Sequence, residues 1–193
     1  MKNKICIVLL LICALNLKSC TSGKLIEDSN SMKELVYEDI ANEIIRFHVI
    51  ANSNTDEDQA LKLKVRDKAI EFVSNSLKES NSLEESRKFI IENKSNIESI
   101  AKSVIIENGY DYNVTSSLSR ENFPDKIYGD VVFPQGEYEA YRILIGEAKG
   151  ENWWCVMFPP LCFVDGTKDA IDSTEVVEKL EGNNKKEKIK NNK

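Results

Sequence analysis

The chain holds a single histidine, His48, among its 193 residues. That scarcity removes most zinc sites and every histidine-dependent mechanism except one built on that residue. Its five cysteines, at positions 6, 13, 20, 155 and 162, include no CxxC pair, which argues against a redox motif or a zinc ribbon. Neither GxGxxG nor GxxxxGK[ST] occurs, the EF-hand pattern is missing, and neither Ser53 nor Cys155 sits in a nucleophile elbow. No catalytic residue, metal or cofactor is therefore expected. Positive charge is scarce in the body of the chain. The net charge is −6, but the lysines cluster at the two ends, so residues 21–182 carry 18 basic against 31 acidic groups, a balance of −13. Such a body repels phosphate backbones, so no nucleic acid is expected as a partner, whereas a positively charged protein surface would be drawn to it. With 41% apolar and 30% charged residues, the remainder reads as one globular domain.

Lys2 and Lys4 precede a thirteen-residue apolar run, 5–17, broken only by Asn16. At ~1.5 Å per residue the run reaches about 20 Å, short of a roughly 30 Å hydrocarbon core. It suits the core of a secretory signal peptide, and export is expected. Leu17-Lys18-Ser19-Cys20 resembles the lipobox of bacterial lipoproteins, with Lys18 as its departure; Cys20 is then the lipidation candidate. Cleavage elsewhere nearby and an uncleaved anchor remain alternatives. The expected layout is a signal peptide or lipoprotein signal over 1–20, a linker with a short helix over 21–43, a folded domain over 44–166 and a polar lysine-rich tail over 167–193.

The folded part is written in two styles. Between Lys24 and Asn108 there is no glycine and no proline, while 109–166 holds six of the eight glycines, all four prolines and eleven of the fifteen aromatics. Helices belong in the first stretch, strands and turns in the second. Ile45, Phe47 and Val49 alternate as in a strand. Thr55-Asp-Glu-Asp58 and Ser82-Leu-Glu-Glu85 are capping boxes, each opening a helix. The first helix is expected to bury Leu61, Val65, Ala69, Phe72 and Leu77. The second is expected to run unbroken to Asn108-Gly109, burying Phe89, Ile90, Ile97, Ile100, Ala101 and Val104. Strands are expected around Tyr110, Tyr112 and Val114, over 128–133 as a short edge, through Glu139, Tyr141, Ile143 and Ile145, and over 153–158. Residues 146–150 read as a hairpin between the last two. The fold expected is α+β: an antiparallel sheet of about four strands with two long helices packed on one face.

The candidate contact residues lie mostly in the second half. Adjacent Trp153 and Trp154 on one strand point to opposite faces, so one of them needs cover from a loop, a lipid surface or another protein. Glu137, Tyr138 and Arg142 mix charge and aromatics along a strand, which fits a partner contact or a solvated sheet face. His48 fits a structural or partner-contacting imidazole. Pro159-Pro160 ends the last strand and lets the chain double back, bringing Cys155 toward Cys162. In an exported protein this pair suggests a disulfide, stabilising by about 2.5 kcal/mol on loop entropy; two buried thiols are the alternative.

Two blocks carry a family resemblance. The first runs from Arg46-Phe-His-Val-Ile-Ala-Asn-Ser53 through Asp58-Gln-Ala-Leu-Lys-Leu-Lys-Val-Arg-Asp67. The second runs from Pro134-Gln-Gly-Glu-Tyr-Glu-Ala-Tyr-Arg142 through Gly146-Glu-Ala-Lys-Gly-Glu-Asn-Trp-Trp-Cys-Val-Met-Phe-Pro-Pro-Leu-Cys-Phe163. Over about 44–165 the chain resembles the stage II sporulation protein R family of endospore-forming bacteria, departing at a few positions such as Ala148, where glycine is expected. The resemblance implies a non-enzymatic signalling protein, exported from the forespore into the space between the forespore and mother-cell membranes, with a possible membrane tether through its N-terminus. Its implied partner is a membrane-bound aspartic protease, which then removes the pro-sequence of sporulation sigma factor E. A cell-envelope hydrolase and a structural envelope lipoprotein are the alternatives from other classes.

Overall fold

Alternation of apolar and polar side chains and four-residue helical spacing account for most of the architecture seen in a computed structural model, which describes residues 33–34, 36–128, 131–161 and 180. In chain order the elements are strand β1 (Lys33–Glu34), helix α1 (Tyr37–Ile40), β2 (Ile45–Ile50), α2 (Asp56–Glu79), α3 (Leu83–Glu92), α4 (Lys94–Glu107), β3 (Val114–Phe123), β4 (Lys126–Tyr128), β5 (Val131–Phe133), β6 (Gly136–Ile145) and β7 (Asn152–Phe158). The fold is α+β.

Helix α2 starts where its cap dictates. The Thr55 hydroxyl accepts from Asp58 N at 3.3 Å, and three acids occupy the first turn. Its buried stripe is Leu61, Val65, Ala69, Val73 and Leu77, a strict spacing of four. Val73, not Phe72, completes the stripe; Phe72 stays 37% exposed. The second expected helix is two. Ser82 caps α3 by accepting from Glu85 N, as its box requires, but the helix stops at Asn93. There φ and ψ are −100° and 9°, and the Asn93 side-chain amide donates to the Phe89 carbonyl at 3.0 Å. An asparagine amide bonding locally to the backbone competes with helix continuation, and α4 begins one residue later. Ile105 joins Ile97, Ala101 and Val104 in its buried set.

The main sheet has the order β3-β6-β2-β7. It is mixed, not antiparallel, because β2 and β6 run parallel at its centre while β3–β6 and β2–β7 are antiparallel. The helical crossover carries the chain back across the sheet, so β6 enters alongside β2. A further correction follows: residues 146–150 do not close a hairpin, since β2 lies between β6 and β7. They bridge over the end of β2 and are tied to it. Lys149 N and Gly150 N donate to the carbonyls of Asn52 and Ala51 at 3.1 and 2.9 Å. Glu147 N donates to Asn52 Oδ1 and Glu151 N to Asn54 Oδ1. Gly150 fits because an added Cβ would lie 2.2 Å from the Ser53 carbonyl oxygen.

Helices cover one face of this sheet. Ile45, Phe47, Val49, Tyr141, Ile143, Ile145 and Met157 meet the stripes of α2, α3 and α4 in the larger core. Glu139, at the margin of that face, accepts two bonds from Arg87 of α3, both 2.8 Å. The opposite face is covered as well, over part of its length, by a second sheet of order β1-β5-β4. The expected single edge strand over 128–133 is instead the antiparallel pair β4–β5, and β3 begins at Val114, leaving Tyr110 and Tyr112 outside it. Ile40, Ala41, Ile44, Phe123, Val131, Phe133, Tyr138, Ala140, Val156, Leu161 and Leu180 form this second core.

Candidate functional site

Strand register decides which of the candidate residues meet. His48 lies opposite Arg142 on one side and Trp154 on the other, and Arg142 lies opposite Ser117. Ser117, Arg142, His48 and Trp154 thus form one row across all four strands, on the face away from α2–α4. The next row toward the strand ends that lead into the 146–151 connection is Thr115, Leu144, Ile50 and Asn152. The row on the other side is Ser119, Ala140, Arg46 and Val156, roofed by the second core.

Arg46 is fully buried. Its guanidinium carbon sits 4.2 Å from the Phe123 ring centre and 4.9 Å from that of Tyr138, with Phe133 and Tyr128 at 5.7 and 6.0 Å. Its Nη2 donates to the Tyr128 hydroxyl at 3.3 Å, while Nε and Nη1 have no hydrogen-bond partner among the described residues. Ring quadrupoles replace a carboxylate here. His48 stacks on Trp154 with centroids 5.0 Å apart and planes 6° from parallel, and among the described residues neither ring nitrogen has a hydrogen-bond partner of good geometry. Burial pushes its imidazole down to about 4; Arg142 and Arg46 add to the fall, and Glu121 and Asn152 oppose it. Arg142 is half-buried, with Nε donating to Ser117 Oγ at 2.8 Å and Nη1 paired with Glu121 at 3.0 Å.

The other candidates fall elsewhere. Trp153 points to the helix face, edge-on to Phe47 with Arg66 4.8 Å over its ring. Glu137 is exposed near the far end of β6 and is paired with Arg120 at 2.8 Å. Tyr138 is fully buried, its hydroxyl donating to the Pro134 carbonyl at 2.6 Å; it packs the second core and has no surface to offer a partner. Glu137, Tyr138 and Arg142 are therefore not one patch. Cys155 is buried on β7. Cys162, Cys20 and the signal region lie outside the described residues.

Sequence reasoning did not single out Ile50, Leu144, Asn152, Ser117 or Glu121. Alternation would have set Leu144 opposite Ile143, but only strand order places these side chains together. It also missed the corner beneath the 146–151 connection. There Asp58 accepts from Ser53 Oγ at 2.6 Å and Asn52 Nδ2 at 2.8 Å. Burial alone would raise the Asp58 carboxyl, but donors from Ser53, Asn52 and Tyr112 together hold it below its usual value. Among the described residues no group of three or more His, Cys, Asp or Glu is arranged to hold a metal ion, and no helix is long and apolar enough to cross a membrane.

A family model described as Stage II sporulation protein R matches residues 41–168. Stage II sporulation protein R of Bacillus subtilis (strain 168) is 40% identical over 126 residues, which cover 65% of this chain and 56% of the relative. The matched region thus spans little more than half the relative's length. No solved structure matches.

Proposed function

The chain belongs to the stage II sporulation protein R family, and from that premise we propose that it is an exported signalling protein that activates a membrane-bound aspartic protease, leading to processing of pro-sigma-E. The observation that carries the reading is the family match, which covers the main sheet and its helices from just before β2 to beyond β7. The proposal assigns no bond-breaking chemistry to the chain itself. In its support, the one imidazole is walled in by Trp154 and Phe123, and a base held near 4 is too weak to abstract protons efficiently at neutral pH.

Activation then works by preferential binding. A ligand that binds active and inactive protease equally shifts nothing, and moving the balance from 1:99 to 99:1 takes about 5.5 kcal/mol of preference. A few well-packed side chains supply that much. Trp153 and Trp154 are both half-buried on β7, which lies at one edge of the described sheet, one on each face. Replacing each singly by Ala, with folding checked by circular dichroism, is expected to reduce sigma-factor processing through at least one of them. Full processing by both folded variants removes the tryptophans from the mechanism.

Export, through the apolar run at 5–17, belongs to the same proposal, as does a bridge between Cys155 and Cys162. Titration of the denatured protein without reductant tests the bridge, two reactive thiols at 155 and 162 meaning there is none. Mass spectrometry of the mature N-terminus separates lipidation at Cys20 from ordinary cleavage. The direct test of the function is retention of the protease from solubilised sporulating-cell membranes on the tagged protein. Retention is expected, and loss of the protease under conditions that preserve both folds overturns the proposal.

A further inference from the structure

Asn108-Gly109 is the single Asn-Gly pair in the chain. Asparagine is a labile side chain, and a following glycine exposes it most, because no Cβ shields the glycine nitrogen from the neighbouring amide. The pair closes the C-terminus of α4. Gly109 is exposed there at φ 84°, and an added Cβ would meet no described residue within 4 Å. Solvent reaches the pair, so its reactivity is set by how the helix end holds it.

Hydrogen bonds fix the pair on both sides. Gly109 N donates to the Ile106 carbonyl at 2.9 Å and Tyr110 N to that of Ile105 at 3.1 Å, the two bonds of a Schellman helix end. The Asn108 side-chain amide donates from Nδ2 to the Val104 carbonyl at 2.7 Å, and its Oδ1 accepts from Lys64 Nζ of α2. Asn108 ψ is 9°, which nearly eclipses Gly109 N with Asn108 N. Bonds at a tetrahedral Cα lie roughly 120° apart in projection, so Gly109 N points well away from Asn108 Cγ. A five-membered ring between that nitrogen and that carbon closes only after ψ has turned by about the same angle. Such a turn breaks both Schellman bonds.

We propose that Asn108 is a deamidation site gated by the last turn of α4 and by the Lys64 contact that holds this turn shut. When the turn frays, Gly109 N gives up its proton to base and attacks Asn108 Cγ. The new C–N bond closes a succinimide, the Cγ–Nδ2 bond breaks, and the departing nitrogen takes up a proton and leaves as ammonia. Water then opens the ring at either carbonyl, giving aspartate or isoaspartate at 108. Neither product rebuilds the helix end. Aspartate keeps Lys64 on one oxygen and sets the other against the Val104 carbonyl, at the negative pole of α4. Isoaspartate adds a carbon to the main chain and draws Gly109 and Tyr110 off the Ile106 and Ile105 carbonyls. An opening of α4 that is followed by ring closure is thereby recorded permanently in the chain. The inference stands apart from the signalling reading.

The test follows position 108 by peptide mapping of the purified protein, held at pH 8.5 either folded or in guanidinium chloride. Aspartyl and isoaspartyl peptides are expected in the denaturant, forming more than tenfold slower in the folded protein. Lys64→Ala is expected to speed the folded reaction about threefold and to leave the rate in denaturant unchanged. Lys88→Ala, on α3, is expected to change neither. If Lys64→Ala fails to fold, Lys64→Gln serves in its place. No conversion in denaturant, equal rates folded and unfolded, or a folded Lys64 variant reacting at the parent rate overturns the gated site.

Discussion

Ala148 holds φ at 51° in the connection between β6 and β7. An L-residue with a Cβ pays about 1–2 kcal/mol for that conformation, and glycine avoids it. Ala148→Gly is therefore expected to raise stability by about 0.5–1 kcal/mol after the extra freedom of the unfolded glycine is subtracted, read as a higher urea midpoint at unchanged slope. His48 sets a pH dependence. Its imidazole takes a proton near 6.5 when unfolded and only near 4 in the fold. Between those values the unfolded chain binds the extra proton, so the stability present above about pH 6.5 is lost as pH falls toward 4. His48→Phe keeps a ring against Trp154 and removes the titration. Urea melts at pH 7.5 and 4.5 are expected to show the parent protein losing about 2–3 kcal/mol more than this variant. Equal losses would place the His48 ring in water.

At the level of elements, the capping boxes and the β2 strand are plainly written, because Thr55 and Ser82 act on neighbours three residues away and Ile45, Phe47 and Val49 recur every second residue on the helix-covered face. Where the reading slipped, the deciding partner was distant or the signal was short. Phe72 and Val73 are both apolar and adjacent, and only the position of the sheet selects Val73. Val73→Ala is expected to cost about 2 kcal/mol and Phe72→Ala less than 1 kcal/mol, with equilibrium unfolding as the check; the reverse order would rotate α2 about its axis. The three-residue strands β4 and β5 are too brief to show a period, so the second core was invisible along the chain. The parallel pairing of β2 with β6 depends on how the helices return the chain, which no local pattern records. Of the candidate site, His48, Arg142 and Trp154 were legible as residues. Their shared row was not, because register between strands about 90 and 100 residues apart is a property of the sheet.

At the scale of the whole, the described residues form a sheet with helices on one face and a second, smaller sheet over part of the other. The second core, with the Arg46 cage and Leu180, fixes the strands from that side. The account stands most directly on a reconstitution: membranes holding the protease and its sigma-factor precursor, with purified mature protein titrated in. Cleavage is expected to rise and saturate as the protein is added, to vanish when the aspartates of the protease are replaced, and to be absent when protein and precursor are mixed alone. Precursor cut by the purified protein without the protease, and spared when His48 is replaced, would contradict it.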